Sequence, residues 1–196
     1  MKSIYQLYIE LQDLKPAVWR RIQVPAEMEL ADLHKVLQVV MGWTNSHLHQ
    51  FIKNDVFYSP RTEGDEEFWD EAMNIDYAGV TISDLLKDKQ NVIDYEYDYG
   101  DSWMHTVLLE DILETDDKHM YPFCLGGERH CPPEDCGGVW GYVDILNVLK
   151  NTKHPEYKHY KAWLGNNFNS DKFELDDINK ALCLPDYGLP KWEDFE

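Results

Sequence analysis

A chain of 196 residues with a net charge of −19 is poorly suited to nucleic acid, because DNA and RNA binding draws its affinity from Lys and Arg set against phosphates. It is long enough to bury a core without staples, and its 43% hydrophobic content with 7 Trp, 12 Tyr and 7 Phe is that of a globular chain rather than a disordered one. No apolar run approaches the roughly 18 residues that span a bilayer, and the start, Met1 to Tyr5, alternates like a strand instead of opening a signal peptide. One cytoplasmic domain over residues 1–196, without a membrane span, is therefore expected.

Nineteen of the 37 acids lie between Asp55 and Asp117, a field that favours cations or basic partners. Lys150, Lys153, Lys158 and Lys161 could form a local basic patch, which reads as a solvated helix face. The four cysteines, in a chain without a secretory signal, are expected as thiols or ligands rather than disulfides.

In chain order, Ile4 to Leu11 alternates as a half-buried strand, Asp13 to Pro16 reads as a turn, and Val18 to Val24 returns as a second strand. Arg20 shares an apolar face with Val18, Ile22 and Val24. A guanidinium there must find a carboxylate, such as Asp98 or Asp101, or carbonyls, because an unpaired buried charge is very costly. A structural ion pair and a ligand-binding arginine are both open. Leu30, Leu33, Val36, Leu37, Val40 and Met41 fall at helical spacing, with Gly42 as the left-handed stop. His34, at the edge of that stripe, reads as a packed residue. His47 to Ile52 reads as a strand with His47 and His49 on one face, two imidazoles able to converge on a metal if a third ligand joins them.

An acidic surface loop is expected over about 59–76, and a short helix capped by Thr81 or Ser83 after it. The stretch Ile93 to His105, I-D-Y-E-Y-D-Y-G-D-S-W-M-H, reads as a hairpin about Gly100-Asp101. A two-residue loop there opposes Glu96 to His105 and Asp98 to Trp103. It places Glu96, Asp98, Trp103 and His105 on one face and Tyr95, Tyr97 and Tyr99 on the other. An acid beside an imidazole could raise its pKa for general acid or base work, or be a cross-strand ion pair.

Residues 122–141 are rich in glycine and proline and read as a loop held by turns. Cys124, His130, Cys131 and Cys136 have the donor types for tetrahedral zinc but lack a C-x-x-C knuckle. A helical part follows over 139–184, with Cys183 expected as a buried apolar thiol.

The motifs W-R-R (Trp19 to Arg21), L-H-K-V-L-Q (Leu33 to Gln38), M-G-W (Met41 to Trp43), H-L-H-Q-F (His47 to Phe51), Y-D-Y-G-D-S-W-M-H (Tyr97 to His105) and C-P-P-E-D-C-G-G-V-W-G-Y (Cys131 to Tyr142) stand together in this chain. Their combination resembles the Ri-plasmid open-reading-frame-three-like family, whose members also occur as passenger proteins of insertion elements. The resemblance spans roughly Ile4 to Leu164. It implies no established activity, and the charge speaks against the resolvase label that some members carry. It marks Trp19, Arg20, Arg21, His47, His49, Asp98, Gly100, Asp101, Trp103, His105, Glu134 and Asp135 as a shared surface.

The expected architecture is α+β, a mostly antiparallel sheet with one face covered by helices, a β-grasp-like core and C-terminal helices. The leading functional reading is a binding module presenting Arg20, Glu96, Asp98, Asp101, Trp103, His105, Glu134 and Asp135 to a protein or small ligand. The alternative is a hydrolase in which His47, His49, Asp98, Asp101 and His105 hold a divalent metal that activates water.

Overall fold

The structure is a computed structural model, and it describes residues 3–61, 70, 72–115, 120–165 and 167–190. Its centre is an antiparallel quartet of strands: β1 (Ser3–Leu11), β2 (Trp19–Pro25), β6 (Val92–Tyr97) and β7 (Trp103–Glu114). With β3 (His49–Lys53), β4 (Val56–Ser59), β5 (Asn74–Asp76) and β8 (Phe123–Glu128) they make an eight-stranded sheet in the order β5-β4-β3-β6-β7-β1-β2-β8. Every pairing is antiparallel except β4 with β5 at one edge. A β-grasp sheet is built on a parallel central pair, so that detail of the expectation is not what the antiparallel β1–β7 pair shows.

The period-two pattern decides which face is buried. Tyr5, Leu7, Ile9 and Leu11 of β1 point inward, as do Ile22 and Val24 of β2 and Val107 and Leu109 of β7, whereas Gln6, Tyr8 and Glu10 point outward. Helix α1 (Leu30–Met41) lays Leu30, Leu33, Val36 and Leu37 into the same core and ends at Gly42, whose φ of 92° is left-handed. The short helix α2 (Ile82–Leu85) is capped by Thr81, with the Asp84 carboxylate accepting the Thr81 N–H at 2.9 Å. Helices α3 (Gly138–Leu149), α4 (Tyr157–Leu164) and α5 (Leu175–Leu182) follow. Tyr142 and Ile145 of α3 are buried, as is Leu182 of α5.

Three expectations are corrected here. The segment from Phe123 to Glu128 is a strand paired with β2, not a turn-held loop. Gly127 serves close packing: a Cβ there would meet the Trp19 carbonyl oxygen and the Phe173 ring at 2.7 Å. Of the acidic stretch over 59–76, residues 62–69 and 71 lie outside the described residues, and Asn74–Asp76 forms β5. Cys183 is exposed because α5 has ended and the chain turns outward there.

The β6–β7 pairing matters most for function. The pairing of β6 with β7 opposes Tyr97 to Trp103 and Tyr95 to His105, one residue away from a two-residue-loop register. The connection is five residues, Asp98 to Ser102, with φ of 60° at Asp98 and 50° at Ser102. Asp98 stabilises it: its carbonyl accepts the Ser102 N–H at 2.6 Å and its Oδ1 accepts the Gly100 N–H at 3.0 Å. A one-residue slip exchanges faces along a whole strand. Tyr95, Tyr97, Trp103 and His105 therefore all turn into the core, and Glu96 faces out. Burying four large rings together outweighs the tighter turn, since each aromatic removes 150–250 Å² from water.

Candidate functional site

The loops at one end of the sheet carry the polar residues of interest. Segment 44–48 leads from α1 into β3, residues 98–102 join β6 to β7, and residues 129–137 join β8 to α3. Glu134 ties the three together. Its carboxylate accepts from Tyr97 Oη at 2.5 Å, Thr44 Oγ1 at 2.6 Å, Ser46 Oγ at 3.2 Å and the Thr44 N–H at 3.3 Å. Tyr97 Oη also accepts the Ser46 N–H at 3.0 Å. Burial and the adjacent Glu134 carboxylate raise the Tyr97 pKa, so its hydroxyl stays protonated and donates. Asp101 Oδ2 accepts the Gly137 N–H at 3.2 Å, at the N-terminus of α3, where the helix dipole favours a negative charge.

Within this frame His47 Nε2 stands 3.7 Å from Asp98 Oδ2 and 3.5 Å from Asp135 Oδ1. The three ligand atoms lie within 4.8 Å of one another, and this is the one such group of three or more His, Cys, Asp or Glu among the described residues. His47 Nε2 is shielded from solvent and has no hydrogen-bond partner among the described residues. Asp98 is buried while the Asp135 side chain is 77% exposed. Both aspartates sit at positive φ, 60° and 57°, a conformation that Asp tolerates better than most residues but that costs energy and clusters at functional sites.

The sequence-predicted metal ligands divide. His47 and Asp98 come together, and Asp135 joins them in place of His49 and His105. His47 lies in a bend before β3 begins at His49, so strand alternation does not align the two imidazoles. His49 instead stacks on His34 with ring centres 3.4 Å apart and planes 3° apart, and its Nε2 bonds Tyr77 Oη at 2.7 Å. His105 is fully buried, with Nδ1 3.2 Å from the Tyr95 carbonyl, so Nδ1 is the protonated nitrogen. Burial pushes its pKa down to about 4, against the pull of that carbonyl.

His34 is neutral for the same reason, its pKa lowered by burial to about 4. Its network is complete in one direction. Gln38 Nε2 donates to Tyr95 Oη at 3.0 Å, Tyr95 Oη donates to His34 Nδ1 at 2.8 Å, and His34 Nε2 donates to Asn45 Oδ1 at 2.6 Å. The Asn45 N–H closes the circuit on Gln38 Oε1 at 2.9 Å. All three histidines are buried in the core.

Among the described residues Arg20 pairs with no acid. It is buried and donates to four carbonyls: Val40 at 2.6 Å, Trp19 at 2.8 Å, and Glu128 and Arg129 at 3.0 Å each. Val40 lies in the last turn of α1, where free carbonyls and the helix dipole hold a cation as a carboxylate would. The guanidinium also lies over the Phe173 ring at 4.8 Å. The ion pair with Asp98 or Asp101 and the ligand-binding arginine are both replaced by this carbonyl cage.

Nor do the thiols converge with His130 as ligands. Burial raises the pKa of Cys124 and Cys131, outweighing the nearby Arg20 charge, and raises that of Cys136 to about 12. His130 Nδ1 is engaged by the Cys131 carbonyl at 2.6 Å. Of the remaining expected surface, Trp103 is buried, and Glu96 accepts Gln50 Nε2 at 2.6 Å and Ser102 Oγ at 2.8 Å. Thr44, Ser46 and Tyr97 were not singled out from the sequence as site residues, because nothing local marks two hydroxyls and a phenol as partners of a glutamate about 40 and 90 residues away.

The chain has counterparts elsewhere. Residues 3–177 match the family described as "Plasmid pRiA4b ORF-3-like protein". The chain belongs to that family. As a pRiA4b ORF-3-like protein it is similar to "Uncharacterized protein y4hQ" of Sinorhizobium fredii (strain NBRC 101917 / NGR234), with 35% identity over 182 residues that cover 92% of this chain and 91% of the relative. It is also similar in structure to a protein of unknown function, MM3350, from Methanosarcina mazei Go1, with a TM-score of 0.81 and 34% identity over 90% of this chain and 98% of that one. Among the described residues, no helix of this pRiA4b ORF-3-like protein is long and apolar enough to cross a membrane.

Proposed function

We propose that this chain is a binding domain for a divalent transition-metal ion, held by His47 Nε2, Asp98 Oδ2 and Asp135 Oδ1. The observation that carries the reading is their convergence from three loops onto one point, around a ring nitrogen with no other partner among the described residues. Separations of 3.5 and 3.7 Å are too long for hydrogen bonds. They fit ligands on a common ion, since N and O donors about 2.1 Å from a metal at the tetrahedral angle are roughly 3.4 Å apart. One imidazole with two carboxylates suits zinc, manganese or iron better than calcium or magnesium, which prefer oxygen alone.

Three protein ligands leave coordination positions open, the form of a catalytic rather than a closed structural site. Asp135 is the exposed side of the triad, so those positions face solvent, where a bound water would be acidified for hydrolysis. Leu48 and Tyr99, exposed and next in the chain to His47 and Asp98, give the site an apolar rim for a partner or substrate.

Calorimetric titration of metal-free, untagged protein with Zn²⁺ and with Mn²⁺ tests the reading. One equivalent bound with micromolar or tighter affinity is expected, weakened more than tenfold by His47→Ala and by Asp98→Asn. Absence of saturable uptake, or uptake unchanged in His47→Ala, overturns it.

A further inference from the structure

One cavity among the described residues gathers basic side chains in an acidic chain. Between α3, α4, the β1–β2 turn and residues 168–171 lies a cavity of about 530 Å³, lined by Lys15, Arg129, Lys150 and Lys161 with Asp171 as its one carboxylate. Over the whole chain acids outnumber Lys and Arg by 37 to 18, so a lining in which four cations meet Asp171, with Glu10 beside Lys15, departs from that balance. The floor is apolar: Val143, Leu146 and Leu149 come from one side of α3, with Phe168 and Pro16 closing over it.

The cations arrive from separate elements, which a solvated helix face would not require. Arg129 sits at φ 69°, and its backbone carbonyl is held by the buried Arg20. Its side chain is 17% exposed and meets Asp171 Oδ1 at 2.6 Å. Lys150 Nζ lies 3.1 Å from Asn147 Oδ1 and Lys15 Nζ 3.3 Å from Glu10. The fold divides the Lys150, Lys153, Lys158 and Lys161 set and brings Lys15 and Arg129 to Lys150 and Lys161. The volume is in the range of small-molecule pockets, roughly 300–1,000 Å³, where apolar walls supply affinity and a few polar groups supply orientation.

We infer that this cavity is a binding site for a small organic anion, a carboxylate or phosphate carried on an aromatic or aliphatic body. The body rests on Val143, Leu146 and Phe168 while Lys15, Arg129 and Lys150 neutralise the head. The site shares no residue with the His47–Asp98–Asp135 triad and stands or falls separately from it.

Three probes separate the contributions: 1-naphthyl phosphate carries body and charge, 1-naphthol the body alone, inorganic phosphate the charge alone. Titrated calorimetrically into the full chain at low ionic strength, 1-naphthyl phosphate is expected to bind at least tenfold tighter than either control. Added salt is expected to weaken it, because exposed charge pairs are screened. The double variant Lys15→Gln/Lys150→Gln, which alters exposed side chains only, is expected to retain its thermal midpoint and lose at least fivefold in affinity for that probe. Equal affinity for 1-naphthol, tighter binding of inorganic phosphate alone, undetectable binding of all three, or undiminished binding in the double variant overturns the assignment.

Discussion

Lowering the pH from 7 to 5 is expected to remove about 4 kcal/mol of folding stability through two buried imidazoles, His34 and His105. Each has a folded pKa lowered by burial to about 4, against 6.5 for an exposed histidine. His34 faces Lys35 and stacks on His49, and His105 faces Arg20, so the cationic neighbours reinforce the neutral state. Between those two pKa values the unfolded chain takes up protons that the folded chain refuses. Stability is therefore fully present above pH 6.5, falls by about 1.4 kcal/mol per pH unit per histidine, and levels off below pH 4. At pH 5 this amounts to about 2 kcal/mol for each ring, a large part of a total that is typically 5–15 kcal/mol. His49, lowered in the same direction, adds to the loss. Carboxylates such as Glu110, held by Arg21 below the ordinary range, act at lower pH and leave the window to the imidazoles. Urea unfolding followed by tryptophan fluorescence at both pH values, in the presence of EDTA, measures the difference. A change below about 1 kcal/mol refutes the claim that these rings are held neutral.

Three other outcomes follow from the same geometry. Glu134→Ala leaves Tyr97, Thr44 and Ser46 without their acceptor, and should cost about 2 kcal/mol and lower the thermal midpoint by about 4–8 °C, seen by calorimetry, while weakening metal uptake because His47 and Asp135 lose their alignment. Arg20→Met strips four carbonyls of their donor, that of Val40 buried, and is expected to destabilise by about 3 kcal/mol in urea titration, with Arg20→Lys recovering only part because an ammonium cannot span all four. Gly127→Ala forces a methyl to within 2.7 Å of the Trp19 carbonyl and Phe173, for about 1–3 kcal/mol of destabilisation by the same measurement.

Much of the architecture was legible in local pattern. Helix α1 and its stop at Gly42 follow from apolar spacing of three and four and the left-handed freedom of glycine, and β1 and β2 follow from alternation. The β6–β7 pair was visible as a hairpin, yet its register was not. Gly100-Asp101 has the look of a two-residue turn, but a five-residue loop costs little more in closure entropy and lets four rings enter the core. That single residue of slip moved Trp103 and His105 from a presumed working surface into the interior. Periodicity also placed Arg20 on the buried face, while its partners were invisible because backbone carbonyls carry no residue identity.

By itself, the sequence determined the α+β class, the family, the inward faces of the long strands and helices, and a net charge of −19, since all of these depend on neighbours in the chain or on bulk composition. Tertiary structure alone decided that His47, Asp98 and Asp135, spread over 88 residues, meet within 4.8 Å while His49 and His105 do not. It decided equally that four cations from distant segments face one cavity in a chain of −19. Convergence at a point is a property of how loops are anchored, here by Glu134 and the β6–β7 register, and no local period records it.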